Sequence, residues 1–204
     1  MSTKIRPASI DDAAVMCHVC LLTADAGESA ELLHDYPELP GLVWAVPYLT
    51  LPTTWAFVLE EETTGEIVRY IVGSRDTRAY ENYAADFLWP RLARAYPVSS
   101  RLTKSGDLFY TRLLQAMRVL PESTLAFAQA HFHINILPSH QKQGWGQKLV
   151  DTAFGHLQSE GVDGVWLVVN PKNHSARRFY EDKLGFKRIA IDGLLPNHLG
   201  SVFD

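Results

Sequence analysis

A chain of 204 residues, 47% hydrophobic and 21% charged, has the makeup of a globular protein with one substantial core, and we read 1–204 as a single domain. Its 19 basic and 23 acidic residues leave a formal net charge of −4, which offers no basic footprint for nucleic-acid backbone or an anionic membrane surface. No stretch approaches the roughly 18 uninterrupted apolar residues that span a bilayer, and the N-terminal MSTKIRPAS has no apolar signal region, so a cytoplasmic protein is expected.

Residues 4–7 read as a short edge strand, followed by a helix over 10–22 with Ile10, Ala13, Ala14, Cys17 and Leu21 at helical spacing. Asp11 and Asp12 suit the positive end of that helix. Cys17 and Cys20 lie inside it rather than at its start, and no second C-x-x-C completes a zinc site, so they read as small thiols. The segment 23–52, rich in Gly, Pro and acids but also in aromatics, reads as an ordered connection. WAFVLE and EIVRYIVGS around EETTG predict an antiparallel hairpin.

An amphipathic helix is expected over 76–95, kinked or ended by Pro90, and another over 108–119. A strand is expected over 124–137, then a helix over 147–159 with Leu149, Val150, Ala153, Phe154 and Leu157 on one face. VWLVVN suits a strand buried on both faces. Asn173 stands before a helix carrying Ala176, Phe179, Tyr180 and Leu184 and ended by Gly185. The last strands fall at 186–191 and about 199–203. This order predicts an α/β (α+β) fold: a mixed sheet flanked by helices, with a helical insertion over about 76–120.

ILPSHQKQGWGQKLV runs from a strand through a polar turn into a helix, with Gly144 and Gly146 flanking Trp145. Glycine there lowers helix propensity by about 1 kcal/mol against alanine. A compensating gain follows if the helix N-terminus, with its unpaired amides and positive dipole end, takes a phosphate whose oxygens need side chains out of the way. The residues after Gly146, Gln147-Lys148-Leu149, lack the Gly-Lys-Ser/Thr ending of a Walker loop. Leu149 stands where a dinucleotide fingerprint has its third glycine. By itself G-x-G also fits a plain helix start.

The stretch resembles the acetyl-CoA-binding motif of the GNAT superfamily of acyl-CoA-dependent N-acetyltransferases, a strand, then Gln/Arg-x-x-Gly-x-Gly/Ala, then a helix. NPKNHSARRFYEDKLGF is similar to that family's second signature, Asn-x-x-Ala-x-x-Phe/Leu-Tyr followed by Gly-Phe. The likeness covers about 132–189, with a cofactor-binding βαβα segment over 124–189. TADAGESA, VPYL and SRDTRAYENY further resemble the acetyltransferase-like domain attached to some O-linked N-acetylglucosaminidases. At 204 residues there is no room for the glycosidase domain, so no glycosidase activity is expected.

The resemblance implies acetyl-CoA as acyl donor, with its diphosphate on the segment Gln141, Lys142, Gln143, Gly144, Trp145, Gly146 and Gln147. It implies the pantetheine arm along Ile136 and Leu137, with an amide near Ile136 polarising the thioester carbonyl. Asn173 matches an asparagine near that arm, and Tyr180 matches the tyrosine that protonates the departing thiolate. Gln141 stands where many members have arginine, and Arg69 where a small residue is frequent.

His131 and His133 share one face of the strand leading to the site and are candidates for the base that receives the amine's proton. With His140 they have the count for a metal site but no carboxylate or cysteine partner, and no metal is expected. The acceptor, a small-molecule or peptide amine, is expected to meet 23–48 and the helical insertion, with Asp25, Glu28, Asp35 and Tyr48 as candidates for its ammonium. A monomer or homodimer is expected. The alternative is a non-catalytic acyl-CoA sensor on the same fold.

Overall fold

The computed structural model describes residues 3–117, 119–189 and 197–203. Strands β1 (Thr3–Pro7), β2 (Thr54–Glu61), β3 (Ile67–Ser74) and β4 (Ala130–Ile136) pair antiparallel in chain order. β4 then pairs parallel with β5 (Gly164–Val168). The last two strands are β6 (Lys187–Arg188) and β7 (His198–Val202), and β7 inserts between β5 and β6 to complete a seven-stranded mixed sheet. β3, buried at every position, is its spine.

The apolar stripes read in the sequence cover the two faces. On one, α1 (Ala13–Leu21) and α2 (Leu39–Trp44) bring Met16, Val19 and Val43 against Tyr70 and Val72 of β3. On the other, Leu149, Val150 and Leu157 of the amphipathic helix at 145–159 pack on Ile71, Phe132 and Val165. Burial pushes the Cys17 thiol up to about 11 and Cys20 to about 12, so neither is a thiolate at neutral pH. Among the described residues no helix is long and apolar enough to cross a membrane.

Two expected boundaries move, and the kink or end expected at Pro90 takes the form of a widened turn just before it. The 76–95 helix does not end at Pro90: α3 (Thr77–Tyr83) passes through a widened turn at Ala84–Leu88 into α4 (Trp89–Ala95). There the Trp89 N–H bonds to Ala84 O, an i→i−5 pattern that leaves room for a proline in the following turn. The 108–119 helix is instead α5 (Ser105–Gln115), because Ser-Gly-Asp, which reads locally as a turn, is drawn into helix by tertiary contacts. The buried Asp107 carboxylate takes the His34 ring at 2.8 Å and the Asp35 N–H at 2.8 Å. Residues 122–125 are a helical turn, α6 (Glu122–Leu125), so β4 begins at Ala130 rather than 124. Apolar residues Leu125 and Ala128 pack on Trp166 there, a burial that periodicity alone cannot tell from a strand. Part of the expected 186–191 strand lies outside the described residues.

His131, at the start of β4, is buried with both ring nitrogens engaged, Nε2 by the Tyr48 hydroxyl at 2.9 Å and Nδ1 by Thr77 Oγ1 at 2.7 Å. Thr77 Oγ1 also donates to Gln129 O at 2.7 Å, which makes His131 Nδ1 the donor to Thr77 and Nε2 the acceptor from Tyr48. This ties the sheet to α3 and to the 46–49 turn. His131 Nε2 and the Tyr48 hydroxyl, candidates for a proton acceptor and an ammonium site, are thus hydrogen-bonded to each other.

Burial drives the pKa of His131 well below its usual value and that of His133 down to about 4. Unfolded, both titrate near 6.5, so between there and 4 the unfolded chain binds protons that the folded chain refuses. The contribution is complete above about pH 6.5 and is lost as pH falls toward 4, by up to about 1.4 kcal/mol per pH unit for each histidine. The thermal midpoint is therefore expected to be flat above pH 7 and to fall between 6.5 and 4, less steeply in His133→Gln. An equal slope in wild type and variant contradicts this.

Candidate active site

β4 and β5 are partners for two residues only, Ala130 with Val165 and His131 with Trp166, whereas β4 stays paired with β3 as far as Ile136 opposite Arg69. Beyond His131 one edge of β4 therefore has no strand beside it. The Leu137 N–H bonds to Val68 O at 3.4 Å, so by antiparallel alternation residues 133, 135 and 137 address β3. The main-chain groups of Ile134 and Ile136 point the other way, into the opening. The Gln141 amide already donates to one of them, the Ile136 carbonyl, at 3.0 Å. Val168 on the β5 side is 47% exposed, which departs from the fully buried strand expected of VWLVVN and marks where the two strands part.

The chain leaves β4 at Leu137, makes a tight turn at Pro138–His140, and enters α7 (Trp145–Ser159). Lys142 and Gly144 take left-handed conformations, φ 60° and 80°. The Lys148 N–H to Gly144 O bond, 3.4 Å, comes after the amides of Trp145, Gly146 and Gln147, which precede the helix ladder. Those amides head a helix of 15 residues, whose dipole adds about half a positive charge at this end.

The two glycines do different jobs, although both were expected to clear a path for phosphate. Gly144 is required by its backbone angle, since a Cβ there would meet nothing within 4 Å. Gly146 is favoured by contact instead: a Cβ would lie 3.2 Å from Ile136 Cδ1 and 3.2 Å from Phe179 Cζ, so its absence eases the approach of α7 to the end of β4. Trp145 lies near two cations, with Lys148 Nζ 4.0 Å and the Arg69 guanidinium of β3 6.0 Å from its ring centre.

Tyr180 lies in a widened turn, Phe179–Lys183, that continues α8 (His174–Arg178). Its ring packs on Phe132 at 6.2 Å, Phe186 at 5.4 Å and Phe179 at 5.3 Å. Burial raises its pKa, so the hydroxyl stays protonated throughout the physiological range. His133 is on the opposite face of β4, against Trp44 at 5.3 Å and Tyr48 at 5.5 Å. The expected catalytic groups thus flank the open edge from two sides rather than meeting.

Asn173 caps α8 through Oδ1, which accepts the Ala176 N–H at 2.9 Å, and its amide nitrogen abuts Gly27. Asn135, which the sequence reading passed over although it continues the His131–His133 face, donates to Thr23 Oγ1 at 2.6 Å. The loop after α1 is thus tied to both banks of the opening. Its other side lines a cavity of about 220 Å³ with Asp25, His34, Gly106, Phe109 and Tyr110. Among the described residues no three His, Cys, Asp or Glu side chains converge as metal ligands.

Residues 121–186 match the Acetyltransferase (GNAT) family. The chain is 34% identical over 91 residues to the ribosomal protein bS18-alanine N-acetyltransferase of Haemophilus ducreyi, covering 45% of this chain and 57% of that protein. The Escherichia coli K12 counterpart is also 34% identical over 91 residues, at 45% and 55% coverage, so the chain spans about half the length of the curated relatives it matches. Over nearly its whole length it is 32% identical to the crystal structure of SsHAT, with a TM-score of 0.85 and coverage of 99% and 98%. The PaiA N-acetyltransferase of Thermoplasma acidophilum, solved with coenzyme A, shares the fold at 13% identity, a TM-score of 0.61 and full coverage of both chains. Two motifs at the spacing first read in the sequence, a sheet that opens between them and a full-length likeness agree, and the chain belongs to the acetyltransferase (GNAT) family.

Proposed function

We propose that the protein is an acyl-CoA-dependent N-acetyltransferase that moves an acetyl group from acetyl-CoA to a primary amine by direct attack in a ternary complex. The observation that carries this reading is the open β4 edge leading straight into the unpaired amides at the start of α7. A pantetheine arm, with two amides of its own, can complete the outward N–H and C=O groups of Ile134 and Ile136 as an added strand, passing Leu137 and Asn173. Its diphosphate suits the dipole and amides from Gln143 to Gln147, with Gln141, Lys142 and Trp145 around it.

When bound, acetyl-CoA supplies an acetyl group already activated as a thioester. An outward β4 N–H near Ile136 that the arm leaves unpaired can donate to the thioester oxygen, where charge grows during attack. Tyr180, always protonated, can give a proton to the departing thiolate. His133, uncharged down to about pH 4, is a proton acceptor only and adds no positive charge against an arriving ammonium. Donor and acceptor sides on opposite faces of one strand edge allow both substrates to be present together, which direct attack requires.

The acceptor class is a small-molecule or peptide amine, approaching by the loop after α1 and the cavity that Asp25 lines. The named relatives acetylate an alanine of a ribosomal protein, which supports a peptide amine among the candidates. The narrower kinship with the acetyltransferase-like domain of O-linked N-acetylglucosaminidases, carried by TADAGESA, VPYL and SRDTRAYENY, belongs to this proposal, as do a cytoplasmic location and a monomer or homodimer. One observation favours a sensor instead: His131 is fully engaged and His133 is a weak base.

Calorimetric titration with acetyl-CoA is expected to show one site per chain, and release of free thiol over a panel of amines to separate enzyme from sensor. No binding ends both readings; binding without turnover leaves the sensor. Tyr180→Phe is expected to lower kcat about 10- to 100-fold with an unchanged dissociation constant for acetyl-CoA. Equal turnover removes Tyr180 from the chemistry. Gly144→Ala, forced into a left-handed angle at a cost of about 1–2 kcal/mol, is expected to weaken acetyl-CoA binding about tenfold, and unchanged affinity would show the loop geometry to be irrelevant.

A further inference from the structure

We propose that Arg69 is an anion-positioning residue, a buried guanidinium set beneath the turn into α7 to offset the diphosphate charge of the donor. The inference rests on reading this site as one for coenzyme A and adds a residue to it. Arg69 sits in β3 opposite Ile136, and its side chain is fully buried on the face that α7 covers. Nη2 donates to the His140 carbonyl and to Gln143 Oε1 at 3.3 Å, both in the loop that precedes the helix. The same guanidinium lies 6.0 Å from the ring of Trp145, the first residue of α7.

Its remaining donors are what point to a ligand. Nε and Nη1 are buried and have no acceptor among the described residues, and no carboxylate there pairs with the charge. Glu61, the acid at this end of the sheet, is directed instead to the His140 ring at 3.4 Å. Burial lowers the pKa only to about 10, so the group is a cation at neutral pH. An unpaired buried charge is among the most destabilising features a core can hold. Placed under unpaired amides at a helix N-terminus, it has the sign and position to gain from an anion arriving above it.

A purely supporting role, holding the loop through His140, would depend on the hydrogen bond and not on the charge. Arg69→Gln keeps a donor and loses the charge, while Arg69→Lys keeps the charge and loses the planar fork. Each protein is titrated with coenzyme A and, separately, with pantetheine, which has the same arm and no phosphate. Thermal midpoints are measured without ligand.

Arg69→Gln is expected to weaken coenzyme A binding at least tenfold and pantetheine binding less than twofold, with an unliganded midpoint equal to or above wild type. Arg69→Lys is expected to restore most of the coenzyme A affinity. Equal losses for both ligands, an unchanged coenzyme A affinity in Arg69→Gln, or failure of both variants to fold would make Arg69 structural and overturn the inference. A wild-type protein that binds neither ligand would overturn the donor-site reading itself.

Discussion

Two neighbouring strands that stop being partners are the constraint on which the molecule turns. β4 and β5 share only the Ala130–Val165 and His131–Trp166 pairs, after which the main chain of β4 faces open space on one side. Outward-facing amides and carbonyls inside a sheet are costly unless something completes them. The fold keeps this opening stable by clamping its vertex: His131 is held from both ring nitrogens by Tyr48 and Thr77, and β3 remains paired with β4 from His131 to Ile136. His131, a candidate for the base, thus stands where the pairing of the two strands ends.

From that opening the rest of the site follows by chain connectivity. β4 runs into a turn with two left-handed residues and then into α7, so outward-facing strand amides and helix N-terminal amides are continuous along the chain. The two banks are chemically unlike. Tyr180 stands among Phe132, Phe179 and Phe186, and His133 stands across the strand among Trp44 and Tyr48. Burial pushes the tyrosine up and the histidine down, so at neutral pH the hydroxyl is protonated and the imidazole uncharged.

Much of this was legible in the residues, because local patterning and global packing agree over the C-terminal half. Leu149, Val150, Ala153 and Leu157 lie in the core as their spacing implied, and Asn173 caps α8 as its place before the helix implied. Legibility failed where a distant partner decides local structure. Ser105-Gly106-Asp107 reads as a turn until Asp107 is seen to bind His34 and Asp35. The identical chemistry of Gly144 and Gly146 hides one backbone angle and one steric contact. Arg69 and Asn135 carried no spacing signal, because their partners, His140 and Thr23, lie 71 and 112 residues away in sequence.

We propose that the outward main chain of β4 and the first amides of α7 together hold an acyl-CoA. Amide-resolved hydrogen exchange with and without coenzyme A tests it most directly, since strand alternation makes the pattern residue-specific. The account expects added protection at Ile134, Ile136 and 144–147, with 133 and 135, already bonded to β3, unchanged. Protection spread evenly over 132–137, or none at all in the presence of saturating coenzyme A, would contradict it.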